Sequence, residues 1–297
     1  MKIESLKLKN FRNYELLSLE FDKATNIFYG DNAQGKTNIL EAVYLSGTTK
    51  SHRGAKDKDL IRFEQNESHI ETVVEKNGIN YQIDMHLKKN SPKGIAINKM
   101  PIRKASELFG IVNIVFFSPE DLNIIKNGPG ERRRFVDLEL SQLDKVYLSN
   151  LANYNRIVNQ RNHLLKEAAY NSDVLKTLDI WDMQLVHYGN LIIQRRQEFI
   201  EQMNEIISGI HNKLTGGKES IRILYEPSNS YLTLEQALNK NKEKDLRIRS
   251  TSVGPHRDDI AFMIGDIDIR KYGSQGQQRT AALSLKLSEI ELVKQSI

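Results

Sequence analysis

The sequence predicts an α/β fold, on three observations. A complete phosphate-loop pattern lies between an apolar run and a helical segment. Strand-like patterning fills most of the first third of the chain, and two long helical stripes follow before strand-like segments return.

In chain order, residues 3–8 read as a strand, with Ile3, Leu6 and Leu8 set against Lys2, Glu4 and Lys7. Residues 10–13 carry turn chemistry and 16–21 alternate again. The short apolar run 26–29 is expected as the strand entering the phosphate loop, and a helix is expected over 36–45. Strands follow over 68–75 and 79–87, joined at Asn77-Gly78, a strong hairpin signal. The continuous apolar run 111–117 fits a buried strand. Ser118-Pro119-Glu120-Asp121 starts a helix, with Ser as cap, Pro at the first helical position and Asp121 completing a capping box.

Asn127-Gly128-Pro129-Gly130 then breaks the chain. Leu140, Leu143, Tyr147, Leu151, Tyr154, Val158 and Leu165 form one stripe, and Leu185, Tyr188, Ile192, Phe199, Met203, Ile206 and Ile210 another. Both read as packing faces of an antiparallel helical pair inserted into the α/β body. The expected division is a body of residues 1–126 and 215–297 with a helical arm of 127–214. Thr215-Gly216-Gly217 ends the insert, strands return at 221–225 and 260–264, and a last helix runs from about Gln277.

Composition bounds the function. The 297 residues include no Cys, which excludes disulfides and thiolate metal sites. No stretch approaches the roughly 20 apolar residues that cross a bilayer, and no apolar run follows the first residues as in a signal peptide. A cytoplasmic protein without membrane contact is expected. The net charge of +5 fits a polyanionic partner but is mild enough to fit many metabolic enzymes.

Gly30-Asp31-Asn32-Ala33-Gln34-Gly35-Lys36-Thr37 fits G-x-x-x-x-G-K-[ST] in full. The glycines let successive amides face a phosphate, and the helix N-terminus adds partial positive charge. Lys36 is expected on the β- and γ-phosphates of a nucleoside triphosphate, taken to be ATP, and the Thr37 hydroxyl on Mg2+. A second loop, Gly273-Ser274-Gln275-Gly276-Gln277-Gln278-Arg279, precedes the last helix. Ser274 suits an N-cap and Gly276 permits close backbone approach, so the loop reads either as an ordinary cap or as an anion-facing element. In the second case one subunit's Ser274 loop would cover the nucleotide on another's phosphate loop.

Ser274-x-Gly276-Gln277 resembles the signature loop of ABC-type ATPases, and Gly30-Asp31-Asn32-x-x-Gly35-Lys36-Thr37-Asn38 the phosphate loop of SMC-like heads. Residues 7–14 (KLKNFRNY) resemble the opening strand of that group. Residues 50–53 (KSHR), 117–122 (FSPEDL), 130–135 (GERRRF) and 254–259 (GPHRDD) resemble the bacterial RecF family, in the right order over nearly the whole chain. The resemblance implies a P-loop ABC-type ATPase head with an inserted antiparallel helical arm. It implies a DNA replication and repair protein tied to gapped and duplex DNA, without base-sequence preference, to RecO and RecR, and to the SOS response. It further implies an ATP-dependent homodimer with weak, DNA-stimulated ATPase activity. Nucleotide contacts would come from Gly30, Asp31, Asn32, Ala33, Gln34, Gly35, Lys36, Thr37 and Arg12, and across a dimer from Ser274, Gly276 and Gln277.

Two departures stand out. The family pattern runs past the last helix into a strand ending in Asp and Glu, and no such strand follows Ser274 within these residues, so no catalytic residue is assigned and poor hydrolysis is expected. Ser118-Pro119-Glu120 stands where many ABC heads carry a Gln. Of the remaining basic residues, Arg12 reads equally as phosphate-facing or as a solvated turn. Arg132, Arg133 and Arg134 stand near a helix start, where an ion pair with Asp137 or Glu139 is favoured over a DNA phosphate. Arg156, Arg161, Arg195 and Arg196 read as a solvated helix face that could follow a DNA backbone. His256 with its neighbours reads as a structural or dimer-contact element. Two further readings compete with a repair ATPase. A small-molecule kinase leaves the Ser274 loop without a use, and a structural SMC-like head needs arms far longer than 127–214.

Overall fold

The computed structural model describes residues 1–229 and 232–296. The chain folds into two compact units, residues 1–116 and 117–297.

The first unit is built on an antiparallel sheet of β1 (Lys2–Phe11), β2 (Tyr14–Glu20), β3 (Glu67–Lys76), β4 (Ile79–Lys88), β5 (Ser91–Ile97) and β6 (Met100–Pro101), in the order β2-β1-β3-β4-β5-β6. Side chains alternate across a strand, so register decides which residues share a face. Leu6 lies opposite Thr72, which lies opposite Ile83, and Leu8, Ile70 and Met85 form the next row. All six are buried. The helix α1 (Lys36–Thr48) lays Ile39, Ala42 and Leu45 on this face, and the Ser46 hydroxyl meets that of Thr72 at 2.7 Å. The other face is polar: Lys7 pairs with Glu71 at 2.9 Å. The hairpin at Asn77-Gly78 forms as expected, with φ of 52° and 78° at the two turn residues.

Two expected strands do not form. Residues 26–29 hydrogen-bond to no strand, and Ile27 and Tyr29 are 79% and 92% exposed. The run 111–117 is irregular, with one bridge between Phe109 and Val112. An apolar run records a capacity for burial, but a strand also needs a neighbour to take its amides and carbonyls. Neither segment finds a continuous strand partner among the described residues.

In the second unit, Ser118 starts a short 3-10 turn, and its amide donates to Asp121 Oδ2 at 2.7 Å in the expected capping box. Then come α2 (Leu122–Lys126), α3 (Pro129–Leu143), α4 (Lys145–Glu167) and α5 (Leu178–Thr215). The first expected stripe is two helices rather than one. Asp144 interrupts it and caps α4, accepting from the amides of Val146 and Tyr147. The second stripe is one helix of 38 residues, about 57 Å long, ended by Gly216 in the left-handed conformation. β7 (Ile221–Glu226), α6 (Leu234–Ile248), β8 (Asp259–Ile264), β9 (Ile267–Asp268), α7 (Ile269–Tyr272) and α8 (Gln275–Ser296) complete the unit, with a sheet in the order β7-β8-β9. Phe135, Tyr154, Phe199, Met203, Ile223, Phe262 and Leu285 share one core, so residues 127–214 pack with the strands and helix that follow them.

The helices α4 and α5 are antiparallel and in step. Tyr147 meets Arg196, Tyr154 meets Gly189, and Arg161 meets Asp182. A side chain at Gly189 would collide with Leu234. Two of the arm arginines are therefore core residues rather than a solvated or DNA-facing row. Arg161 is fully buried, with Nε on Asp182 at 2.5 Å and one terminal nitrogen on Asp245 at 2.7 Å. Arg196 is buried between Asp137 (2.7 Å) and the Pro255 carbonyl (2.7 Å). Arg195 pairs with Asp144, and of the four only Arg156 is exposed.

His256 is structural. Its Nε2–H donates to the Thr251 carbonyl (3.1 Å), which leaves Nδ1 to accept from the Tyr154 hydroxyl (2.7 Å). Burial, only partly offset by the Thr251 carbonyl, lowers its pKa to about 4.

Removing one partner of a buried ion pair strands the others, at a cost of about 3–5 kcal/mol. Arg161→Met should cost that much in denaturant unfolding, because Asp182 and Asp245 lose their cation, while Arg156→Ala should change stability by less than about 0.5 kcal/mol. Equal effects of the two would refute the buried network. Because the folded chain disfavours a proton on His256, acidification below about pH 6.5 should erode stability down to about pH 4, by about 3 kcal/mol in all. His256→Gln should flatten that part of the pH profile; an unchanged profile would place the titration elsewhere.

Candidate functional site

The phosphate-loop candidate lies wholly within the first unit. Gly30, Ala33 and Gly35 all take positive φ (136°, 66° and 96°), which curls the loop in front of α1. Gly35 is the N-cap, so no side chain caps α1, and no acid lies in its first turn. A helix start leaves four amides without helical partners and carries about half a positive charge. Here the Asn38 amide turns back to the Gly35 carbonyl at 2.7 Å, and the Thr37 hydroxyl makes no hydrogen bond among the described residues. Lys36 Nζ rests on the carbonyls of Gly30 (2.7 Å) and Asp31 (2.5 Å). Asp31, Asn32, Ala33 and Gln34 are exposed. An uncapped helix start, an exposed loop and one ammonium at its mouth fit the phosphates of a nucleotide, and Thr37 fits a hydroxyl ligand to the accompanying cation.

The loop is braced from behind by the turn between β1 and β2. A Cβ on Gly35 would lie 2.5–2.8 Å from Asn13 and the Tyr14 hydroxyl. Asn13 donates to the Gln34 carbonyl (3.2 Å) and accepts from Asn38 (2.8 Å). Arg12, at φ 53°, places Nε and a terminal nitrogen on the two oxygens of Glu41, each at 2.9 Å, and donates to the Asp59 carbonyl at 3.0 Å. Arg12 is thus no solvated turn residue; it fastens the turn to α1. Three of its five N–H groups are engaged, leaving two for another acceptor.

Glu41 is fully buried. Burial by itself would raise its pKa, but hydrogen bonds from Arg12 and Ser51 and the charges of Arg12 and Arg53 outweigh it and hold the carboxyl below its ordinary value. Sequence reasoning passed over Glu41, Asn13 and Tyr14. The signal for Glu41 is visible in retrospect: it is the only acid in α1, set among Ile39, Leu40, Ala42 and Val43.

The second candidate loop lies in the second unit and forms a complete capping box. The Gln277 amide donates to Ser274 Oγ at 3.1 Å, and the Ser274 amide donates to Gln277 Oε1 at 2.9 Å. The helix starts at Gln275, earlier than the expected Gln277. Gln277 also donates to Glu219 at 2.9 Å, so its amide group is engaged at both ends. Ser274 and Gly276 are exposed, and Ser274 keeps its O–H free to donate outward. A side chain at Gly276 would meet only Ser274 Oγ, at 3.8 Å, so the space before this glycine is open.

Arg132 does form the internal ion pair expected near its helix start, with a different partner. It binds Asp259 at 2.6 Å, and Arg133 donates to the Asp258 carbonyl. Asp137 is taken by Arg196. A β-strand acid distant in sequence outcompetes the acids of the arginine's own helix because it faces the same buried seam.

Residues 2–296 match the family model described as the RecF/RecN/SMC N terminal domain. The chain is 64% identical over 297 residues to the DNA replication and repair protein RecF of Agathobacter rectalis, covering 100% of this chain and 82% of that protein. It is 59% identical to the same protein of Lachnoclostridium phytofermentans over 295 residues, covering 99% and 82%. Among solved structures it is similar to the recombination mediator protein RecF-ATP in the RecFOR pathway, with a TM-score of 0.94 and 35% identity over 99% of this chain and 81% of that one. The Smc head domain from Pyrococcus furiosus shares the fold alone, at TM-score 0.51 and 17% identity over 98% and 79%. The fold is thus the mixed α/β ATPase head of SMC and RecF proteins, with a long helix. No helix among the described residues is long and apolar enough to cross a membrane.

The brace behind the loop is testable apart from the loop itself. Gly35→Ala should displace Asn13 and Tyr14, strain a left-handed position and abolish nucleotide binding measured by calorimetry. Glu41→Gln leaves the half-buried Arg12 fork without its anion and should lower stability by about 3 kcal/mol. Unimpaired binding by the first variant and an unshifted melt for the second would show the brace to be dispensable.

Proposed function

This chain belongs to the RecF family, and from that premise we propose that it is an ATP-switched, DNA-binding protein of replication and recombinational repair. The observation that carries the reading is the helix α1, which starts with neither a cap nor an acid behind a curled loop bearing Lys36. Gly30, Asp31, Asn32, Ala33, Gln34 and Gly35 would wrap the phosphates of ATP, Lys36 would turn from its two carbonyls to the β- and γ-phosphates, and Thr37 would bind Mg2+. Arg12 would offer its two remaining N–H groups to the same anion. Mg2+ would neutralise phosphate charge in that site.

The proposed switch is a homodimer. Ser274, the open space before Gly276 and the start of α8 would close over the γ-phosphate bound by a second copy, with Gln277 holding the loop in shape. In this reading residues 1–126 and 215–297 form the nucleotide-binding head and 127–214 the arm, a division by role that cuts across the packing of the second unit. Nucleotide binding and dimerisation are the proposed output of the site. The proposed partners are DNA, engaged through its phosphates without base preference, and the mediators RecO and RecR, in the cytoplasm.

Lys36→Ala should abolish ATP binding or leave it without effect on association, since charge-assisted hydrogen bonds to phosphate are worth about 1.5–3 kcal/mol each. In sedimentation with ATP the wild type should dimerise, while wild type with ADP and Ser274→Arg with ATP should stay monomeric. Dimers that form equally with ADP, or that survive Ser274→Arg, would overturn the nucleotide-closed dimer.

A further inference from the structure

The helix α6 lies in the second unit and was not anticipated from the sequence. Thr233 caps it, accepting from the Gln236 amide, and Leu234, Ala237, Leu238 and Asp245 form its buried face. Asp245 is neutralised there by Arg161. On the outward side, Lys240, Lys244 and Arg247 are all exposed. Their spacing of four and three residues puts them on one line along the helix, about 10 Å from end to end.

None of the three makes a hydrogen bond or ion pair among the described residues. Other surface lysines of this unit are paired, among them Lys176 with Asp173, Lys271 with Asp268, Lys294 with Glu291 and, on α6 itself, Lys242 with Asp179. Lys126, Lys145, Lys166, Lys213 and Lys218 are exposed and unpaired among the described residues, but no two of them stand three or four residues apart on one helix. Two acids lie on the exposed part of α6. Glu235 is a full turn or more before the line begins, and Glu243, three residues after Lys240 and four before Arg247, lies beside both without an ion pair to either. Arg249, exposed at the C-cap in the left-handed conformation, and the exposed Arg257 extend the positive surface past the helix end. Arg257 donates to the Thr251 carbonyl, which anchors it beside that end.

Like charges three and four residues apart destabilise a helix by a few tenths of a kcal/mol per pair. The helix dipole offsets this for Arg247 in the last turn, but not for Lys240 or Lys244 in the middle. A line of three cations with no ion pair, offset only in part by Glu243, is complementary to a partner whose negative charges also repeat along a line. Successive phosphates of one DNA strand are about 3.4 Å apart along the axis, so a line of this length spans about three of them.

We infer that the line Lys240, Lys244 and Arg247 is a track for the phosphate backbone of DNA. The inference rests on the reading of this chain as a DNA-binding protein and assigns that activity to a surface. The track reads charge, not bases, so its signature is counterion release: each phosphate neutralised contributes about 0.9 to the slope of log affinity against log salt.

The test is titration of a labelled duplex of random sequence with the full chain, over a series of salt concentrations. The triple variant Lys240→Gln, Lys244→Gln, Arg247→Gln should weaken binding about tenfold or more and reduce the salt slope by about 2–3. Its thermal melt should not fall, since like-charge repulsion is removed. A control with the same loss of charge, Lys23→Gln, Lys89→Gln, Lys99→Gln on the first unit, should keep the wild-type slope. If wild type binds with a steep salt slope that the α6 triple leaves intact, the track is overturned while the DNA-binding reading stands. If wild type shows no salt-dependent DNA binding, or binds vesicles of anionic lipid through this line instead, both are overturned.

Discussion

The architecture of the nucleotide-binding candidate turns on one buried carboxylate. Glu41 sits on the inner side of α1, fully out of solvent, and is held as an anion by the fork of Arg12. A lone buried charge would cost several kcal/mol, so the pair forms only if the turn between β1 and β2 is brought against the helix. Once it is there, Asn13 and Tyr14 lie directly under Gly35, and only a residue without a Cβ can stand between them and the loop. The position of the phosphate loop is thereby fixed through its back, which leaves the exposed residues 31–34 free to face solvent.

That freedom is unusual for a helix start, and the two candidate loops treat it in opposite ways. The first turn of α1 has no side-chain cap and no acid, so its partial charge faces outward unopposed. The start of α8 is closed by the reciprocal bonds of Ser274 and Gln277. An open terminus can receive a multiply charged ligand directly. A capped one can offer little more than a hydroxyl proton and the surface around a glycine, which suits a loop that completes a site rather than founding one.

In the second unit the organising forces are buried guanidinium groups. Arg161, Arg196 and Arg132 each satisfy acids from distant parts of the chain: Asp182 and Asp245, Asp137, and Asp259. Arg161 ties α4 to α5 and α6, Arg196 ties α5 to α3 and the Pro255 loop, and Arg132 ties α3 to β8. Apolar packing tolerates sliding, whereas a planar fork on a carboxylate does not, so the Arg161–Asp182 pair helps fix the register in which α4 and α5 run past each other.

Local chemistry that needs only neighbouring residues was legible in the sequence. The phosphate-loop spacing, the Asn77-Gly78 hairpin, the capping box at Ser118 and the glycine stop after α5 all form where the residues indicate, because a turn or a cap is decided within a few residues. The sequence also determined the family, since its motifs recur in order along the whole chain. Only the tertiary structure decided which arginines are surface and which are core. Arg156 and Arg161 look alike in an amphipathic stripe, yet one faces water and the other is sealed against Asp182 and Asp245. It likewise decided that Arg12 answers to Glu41, that 26–29 and 111–117 stay out of a sheet, and that α6 turns three unpaired cations outward. Burial and pairing depend on partners tens of residues away, and neither periodicity nor spacing along the chain carries that information.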